Sequence, residues 1–288
     1  MSYVYTIVFI LSAIVLQLLT GNFPVSVLAF PLNIIFAAIW LFLLRILYKE
    51  YRSAKIIQFL CSPKTSVLSI GLFIAGSLVI GLFPQLSNAE IQTHGGLLAA
   101  LGCYNFMTSW TFIAILFLLL SNLAMITIHA WRCRKQTRWR FILNHAGLWL
   151  ALFAGVLGSS DTQTLRIPLY KGEPAREAFD MDGISHYLDY EVELDSFAIE
   201  YYPNGHPSRF AANVRLGNEE ALLEVNHPYS YRLGEDVYLS SYDVMKGNES
   251  NYCILQVVRQ PWKYVLVAGI LMMLVGAILL FINGPKSV

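Results

Sequence analysis

Apolar residues lie in runs along this chain, and the runs are long enough to cross a bilayer, which takes about 20 residues in a helix. The pattern therefore predicts a polytopic α-helical membrane protein with about six transmembrane helices. The predicted spans are residues 3–19, 28–47, 66–84, 110–130, 141–158 and 262–282. The first run lacks a basic segment before it and a clean small-residue cleavage site, so we expect a retained helix rather than a signal peptide.

Between the fifth and sixth runs the pattern changes to the period-two alternation that is typical of half-buried strands. Apolar Tyr190, Val192 and Leu194 alternate with acidic residues, and the alternation shifts at Ser196, where we expect a bulge. A turn at 203–205 precedes further predicted strands at residues 210–216, 221–226, 236–242 and 251–259. The sequence thus predicts one all-β domain before the last helix, a modest antiparallel sheet or sandwich whose acidic residues form a solvated face.

These patterns divide the chain into four parts. We expect an N-terminal transmembrane hairpin with a basic cytoplasmic loop at 1–65 and a three-helix transmembrane core at 66–158. An extracytoplasmic β-rich domain follows at 159–261, and a C-terminal transmembrane helix at 262–288.

The formal net charge of +1 conceals a strong segregation of charge. Basic residues cluster in two short loops: Arg45, Lys49, Arg52, Lys55 and Lys64 in the first, and Arg132, Arg134, Lys135, Arg138 and Arg140 in the second. Almost all the carboxylates lie between Ser159 and Pro261. Because positive loops stay in the cytoplasm, this distribution predicts two cytoplasmic termini and an acidic domain on the opposite side of the membrane.

His145 is the residue with the clearest chemical potential. It stands near the start of the fifth predicted span, where an ionisable side chain needs a partner or a task. A neutral imidazole at that depth is a good axial ligand for haem iron, and Gly147 would leave room for a flat group. The alternative is a packing residue, hydrogen-bonded to Asn122 or Asn144.

His129 is a second candidate ligand. It lies near the same membrane side, at the end of the neighbouring span, and two histidines at one membrane depth could coordinate one iron. The alternative for His129 is an interfacial residue beside the aromatic anchor Trp131.

Other residues give little support to chemistry of their own. His94, His186, His206 and His227 have no metal-ligand spacing, and the sequence has no nucleophile elbow, phosphate loop or Cys-x-x-Cys. Cys103 and Cys253 could pair in an oxidising compartment or be two unrelated buried thiols. We therefore assign no catalytic residue, leave enzymatic activity open, and expect no nucleic-acid partner.

Several stretches in order resemble the ResB/CcsB family of System II cytochrome c biogenesis proteins. They are Gly81-Leu-Phe-Pro-Gln85, Ser109-Trp-Thr-Phe112, His145-Ala-Gly147, Leu169-Tyr-Lys-Gly-Glu173, Phe197-Ala-Ile-Glu-Tyr-Tyr202 and Val225-Asn-His-Pro228 with Gly234 and Tyr238 to Tyr242. The resemblance extends from about residue 66 to the C-terminus. The first two spans have no matching motifs, the β-domain is short for the family, and a tryptophan-rich motif is absent.

The resemblance implies a stand-alone ResB-type subunit that works with a CcsA/ResC-type tryptophan-rich membrane protein. Together such proteins move haem b across the membrane and present it to apocytochrome c for thioether attachment. The family's haem-ligating histidine on the span before the large domain matches His145. The rival expectations are a membrane scaffold or sensor without haem, whose β-domain binds an extracytoplasmic protein, and, more weakly, a secondary transporter, for which inverted repeats are not evident.

Overall fold

The computed structural model describes residues 2–86, 90–91, 95–132, 138–204, 206–243, 245–247 and 250–283. The chain divides into two compact units. A membrane unit comprises Met1–Ser160 and Val265–Val288, and a β-domain comprises Asp161–Tyr264. His94, Arg134 and Lys135, all named above, lie outside the described residues.

Helices form most of the membrane unit. In chain order they are α1 (Ser2–Thr20), α2 (Leu32–Glu50), α3 (Lys55–Leu60), α4 (Pro63–Leu82), α5 (Gly96–Ala100), α6 (Trp110–Arg132), α7 (Arg138–Val156) and α8 (Lys263–Asn283). Short 3₁₀ segments lie at Val25–Leu28, Cys103–Thr108 and Leu157–Asp161.

Six helices in the described residues, α1, α2, α4, α6, α7 and α8, are long and apolar enough to span a membrane, which confirms the predicted layout. The boundaries differ from the predicted ones where local chemistry overrides hydropathy. Helix α4 begins at Pro63 rather than at residue 66 because the Ser62 side chain accepts a hydrogen bond from the Thr65 amide, 3.2 Å away. A serine cap followed by proline is a strong helix start. Helix α2 begins only after Pro31, later than predicted.

Helix α6 is the centre of the membrane unit, with 72% of its apolar window buried against α1, α2, α4 and α7. The contact with α2 follows one stripe of that helix. The buried positions of α2 are Asn33, Ala37, Trp40, Leu44 and Tyr48, which recur every three or four residues. This spacing places them on one face of a helix.

Helices α7 and α8 pack antiparallel through small residues. A Cβ added to Gly269 would lie 2.7 Å from the Ala151 amide nitrogen, and one added to Gly147 would lie 2.7 Å from the Gly269 carbonyl oxygen. At Gly276 an added Cβ would lie 2.7 Å from the Asn144 side chain. Small residues allow such backbone approach between helices in a membrane, and Gly147 serves this close packing.

The β-domain is one antiparallel sheet of eight strands in the described residues. The strands are β1 (Gln163–Tyr170), β2 (Ala175–Phe179), β3 (Ser185–Tyr201), β4 (Pro207–Leu216), β5 (Glu219–Glu224), β6 (Tyr229–Arg232), β7 (Glu235–Tyr242) and β8 (Tyr252–Arg259). Their order is β5-β4-β3-β2-β1-β8-β7-β6. Consecutive strands are neighbours throughout except β5 and β6, which are the two sheet edges and also contact each other. The sheet is therefore a meander that curls back on itself around one core.

The alternation predicted for β3 is confirmed. Tyr190, Val192 and Leu194 are buried in the domain core, and the register with β4 shifts between Leu194 and Ser196, where the bulge was expected. Strands β1, β2 and β6 were not predicted. The alternation of β1 is visible in the sequence, but it contains Pro168, and proline within a run argues against a strand.

Most acidic residues of β3 to β5 lie on the outer face, as predicted. Arg215 pairs with Glu193 at 3.0 Å, and Arg209 pairs with Glu200 at 3.0 Å and with Glu224. Glu235 and Asp236 are exceptions to the prediction, because they are only 5% and 4% exposed.

Candidate functional site

His145 lies on a partly exposed face of α7. Helical spacing puts Phe141, His145, Leu148 and Leu152 on one side of this helix. Phe141 is 39% exposed and the other three side chains are half-buried. Other sides of the helix are used for packing: Ile142, Phe153 and Ala154 are buried. His145 thus faces the margin of the membrane unit and not its centre.

The hydrogen bonding of His145 defines its ring chemistry. Its Nδ1 lies 2.9 Å from the backbone carbonyl oxygen of Phe141, one helical turn earlier. A carbonyl oxygen can only accept, so Nδ1 carries a hydrogen and donates it. In the neutral ring Nε2 then holds the lone pair. Nε2 has no hydrogen-bond partner among the described residues. This is the arrangement in which a histidine binds a metal through Nε2 while its other nitrogen is held by a backbone carbonyl.

Phe141 also fixes the plane of the imidazole. The two rings are stacked, with centroids 3.8 Å apart and an interplanar angle of 19°. Because Phe141 supplies both the stacked ring and the carbonyl acceptor, the His145 ring is restrained in tilt and in rotation. An imidazole that is held in this way loses little conformational freedom when it binds a metal.

The expectation that Gly147 leaves room for a flat group is wrong. A Cβ at this position would already lie 2.7 Å from the Gly269 carbonyl oxygen and 3.0 Å from Met272 Cβ and Met273 Cγ. The space beside Gly147 is therefore filled by α8. A flat ligand of His145 has to lie against the partly exposed face instead.

His129 has a partner of its own inside the membrane unit. Its Nδ1 lies 2.7 Å from the hydroxyl of Tyr48 on α2, and Tyr48 is 2% exposed. This bond ties α6 to α2 near their shared end. His129 therefore has a structural task, whatever else it does.

The two candidate histidines do not lie at one membrane depth. Trp131 of α6 and Trp139 of α7 pack edge to face, with centroids 5.5 Å apart, which aligns the ends of the two helices. From that pair, His129 is two residues into α6 and His145 is six residues into α7. At 1.5 Å per residue the difference in depth is about 6 Å.

The hydrogen bonds proposed in the packing alternative for His145 are not formed. The Asn122 amide donates to the Leu60 carbonyl oxygen at 2.6 Å, and the Asn144 amide donates to the Arg140 carbonyl oxygen at 2.8 Å. Both asparagines thus donate to backbone carbonyl oxygens, and His145 is hydrogen-bonded to the Phe141 carbonyl oxygen instead.

No group of three His, Cys, Asp or Glu residues that could hold a metal ion occurs in the described part of the chain. Cys61, Cys103 and Cys253 are free thiols, so Cys103 and Cys253 are not paired. Burial raises the pKa of the Cys253 thiol to about 12, which makes it unreactive at neutral pH. His186 lies 2.9 Å from Asp180 and forms a local pair.

The sequence interpretation missed a buried ionic cluster in the β-domain. Glu235 accepts hydrogen bonds from Tyr190 at 2.6 Å and from Arg259 at 2.5 Å. Asp236 accepts from Ser230 and from Lys263, both at 2.6 Å. Two adjacent acids interrupt the alternation of β7, and this interruption was the available signal for burial with partners.

Burial and the hydrogen bond to Glu235 raise the pKa of Tyr190 well above its ordinary value, so its hydroxyl stays protonated. Burial also works to raise the pKa of Asp236, but the bonds from Lys263 and Ser230 outweigh it and the net pKa is lowered. Each charge in this cluster therefore has an opposite charge or a donor within the same domain.

Part of the chain matches the model of a known protein family. Residues 134–254 match the model of the ResB-like family, a range that contains α7 with His145 and most of the β-domain. The resemblance to the ResB/CcsB family is thereby confirmed over residues 134–254.

No curated protein matches the chain. Among solved structures, a similar one is "Cytochrome c Heme Lyase CcmF", with 13% sequence identity and a TM-score of 0.37. The match covers 58% of this chain and 29% of that one, so the chain spans less than a third of the length of that protein.

Proposed function

We propose that this chain is a membrane subunit of a System II cytochrome c synthase, which holds haem b through His145 and helps deliver it to apocytochrome c outside the cytoplasm. The ResB-like match supports the broader statement, a role in cytochrome c biogenesis. The observation that carries the finer proposal is the His145 ring, whose Nδ1 donates to Phe141 while Nε2 stays open.

Among the residues of this site, His145 would hold the haem and Phe141 would orient His145. The Phe141 carbonyl selects the tautomer that leaves the Nε2 lone pair free, and a hydrogen bond at Nδ1 makes the imidazole a stronger donor to iron. Haem b would supply the iron for that bond and the ring that becomes joined to the apocytochrome cysteines. The apolar neighbours Leu148 and Leu152 would keep water from this face of the ligand.

A second ligand to the haem iron would come, in this proposal, from a CcsA/ResC-type partner. His145 faces the margin of the membrane unit, where a second subunit can approach it. His129 is engaged with Tyr48 at a different depth, and we rank it below a partner histidine. In the proposed orientation both termini and the two basic loops are cytoplasmic, and residues 159–261 are periplasmic in a bacterial inner membrane.

The test is an absorbance spectrum of the protein purified with a co-expressed CcsA/ResC-type partner. Wild type, His145→Ala and His129→Ala are compared at equal protein concentration. We expect a Soret band with reduced α and β bands in wild type and in His129→Ala, and a reduced or absent set in His145→Ala. His129→Ala is a matched control because it removes the same side chain from the neighbouring helix.

Each other outcome assigns a different role. Equal haem in all three proteins would exclude both histidines as required ligands. Haem lost only from His129→Ala would move the ligand to α6. Complexes that form without haem in all three proteins would favour the scaffold, in which the β-domain binds an extracytoplasmic protein and His145 only packs.

A further inference from the structure

A cavity of about 260 Å³ opens between α2 and α6 at one end of the membrane unit. It is lined by Arg45, Thr127, Ile128, Trp131 and Arg132. Two arginines thus line one small space at the ends of two membrane spans. The haem proposal uses none of these residues.

The charge of this cavity is not neutralised within the described residues. Arg45 has no ion pair or hydrogen bond there. The only carboxylate in residues 45–65 and 126–145 is Glu50, and it pairs with Lys49 at 3.0 Å. Two cations beside one cavity, with no acid to balance them, favour an anionic ligand from outside the chain.

An aromatic ring, that of Tyr48, lies against the second guanidinium. Arg132 lies over the ring of Tyr48, 5.6 Å from its centroid, and Tyr48 is held by its contact with His129 Nδ1 at 2.7 Å. Such cation–π contacts orient an arginine without neutralising it. Trp131 is 58% exposed, as an indole at a membrane interface commonly is.

The position of the cavity indicates which kind of anion it would bind. Arg45 lies five residues before the end of α2, about 7.5 Å inside it, from where a long basic side chain can reach the membrane interface. Phe42, one turn deeper on the same helix, is 64% exposed and offers an apolar surface for an acyl chain. Basic pockets between membrane helices are known to bind acidic headgroups.

We propose that this cavity binds the phosphate of an anionic phospholipid, with Arg45 and Arg132 as its cationic contacts. The leaflet is the cytoplasmic one if the proposed orientation holds. The site itself depends neither on haem nor on a partner subunit. Its lipid would stabilise the shared end of α2 and α6, which Tyr48 and His129 already join.

The experiment is native mass spectrometry of the full chain, purified in detergent and incubated with equal amounts of phosphatidylglycerol and phosphatidylcholine. We expect wild type to retain one phosphatidylglycerol in preference to phosphatidylcholine. Arg45→Gln and Arg132→Gln should each weaken retention about fivefold, the effect of losing one basic residue near an anionic lipid. Lys55→Gln is the matched control, because Lys55 is exposed in the same basic loop and does not line the cavity.

Arg45→Lys and Arg132→Lys separate charge from folding, since they keep the cation and should keep most of the preference. Equal retention of the two lipids by wild type, or an unchanged preference in both Gln variants, would overturn the proposal. Displacement of the lipid by stoichiometric haem, or by inorganic phosphate, would also overturn it and identify the occupant as a carboxylate ligand or a free oxyanion. A preference retained in His145→Ala is expected, and it separates this site from the haem site.

Discussion

The two units of this protein treat buried polar groups differently. In the β-domain, Glu235 and Asp236 lie in the interior, yet each has charged and neutral donors from its own domain. In the membrane unit, four buried side-chain atoms have no hydrogen-bond partner among the described residues. They are Trp40 Nε1, Ser121 Oγ, Asn122 Oδ1 and Trp149 Nε1. No such atom occurs in the described part of the β-domain.

The difference indicates where outside molecules are needed. A polar group in the hydrocarbon region has no bulk water to satisfy it, so an orphan there costs more than one near solvent. At the margin of the membrane unit, His145 Nε2 and the Arg45 guanidinium also have no hydrogen-bond partner among the described residues. The β-domain completes its own polar interactions, whereas the membrane unit leaves several for water, lipid, cofactor or a partner.

The largest effect is expected from a substitution that breaks the buried ionic cluster of the β-domain. Arg259→Met would leave Glu235, whose side chain is 7% exposed, without its cation. We expect a loss of about 3 kcal/mol in the unfolding free energy of this domain, because an unpaired buried charge is costly. Denaturant titration of the full chain measures this loss, with the protease sensitivity of residues 161–264 as the readout of unfolding.

The control for this prediction is Arg176→Met, which removes an ion pair to Glu191 with both side chains more than half exposed. An exposed pair contributes about 0–1 kcal/mol. Equal effects of the two substitutions would mean that the Glu235 cluster is solvated and that the contrast between the units is absent.

The second effect concerns helix packing in the membrane unit. Gly147→Ala places a methyl group 2.7 Å from a backbone oxygen of α8, which cannot rotate away, and we expect a destabilisation of about 2 kcal/mol. Gly155→Ala lies on the same helix, but its nearest new neighbour is Leu266 Cδ1 at 3.7 Å. Thermal unfolding in detergent should show a lower Tm for the first variant only. A Gly147→Ala protein as stable as Gly155→Ala would contradict the α7–α8 contact.

A smaller effect is expected for the bond between α2 and α6. Tyr48→Phe removes the hydroxyl that lies 2.7 Å from His129 and should cost about 1 kcal/mol of stability. Haem content should not change, because this bond is structural in the present account. The same preparation serves for an unfolding curve and an absorbance spectrum, and a loss of haem with unchanged stability would make His129 part of the ligand site.

The mildest perturbation is acid. The pKa of Asp236 is lowered in the folded domain, where the bonds from Lys263 and Ser230 outweigh burial, so its stabilising contribution is complete above the unfolded-state pKa of about 4. That contribution is lost as pH falls through the lower folded-state pKa. The membrane unit contains only Glu50 and Glu90 as acids. Circular dichroism during acid titration should therefore show strand loss before helix loss, and the reverse order would contradict this assignment.

The sequence predicts more of the architecture than of the site. Runs of about 20 apolar residues are sufficient to predict six spans, because a membrane helix must satisfy its backbone internally. The alternation in β3 predicts a strand and even its bulge, since one face of the sheet is buried. Strands β1 and β6 are harder to recognise, the first because it contains proline and the second because it has only four residues.

The site depends on contacts that a sequence does not contain. His145 stands out from its position alone, but the direction of its open nitrogen follows from the Phe141 carbonyl. The position of Gly147 in the sequence is the same whether it faces a ligand or another helix. Only the close approach of Gly269 in the structure shows that it faces a helix. The cavity likewise brings together Arg45 and Arg132, which are more than eighty residues apart in the sequence.

The most direct test of the central claim is chemical rescue of His145→Gly, which leaves a space where the imidazole was. The complex with a CcsA/ResC-type partner is purified with and without added imidazole, and its reduced absorbance spectrum is recorded. We predict weak bands without imidazole and restored α and β bands with it, because free imidazole can occupy the same axial position. Full bands in His145→Gly without imidazole would contradict the account, since the iron would then need no ligand from this chain.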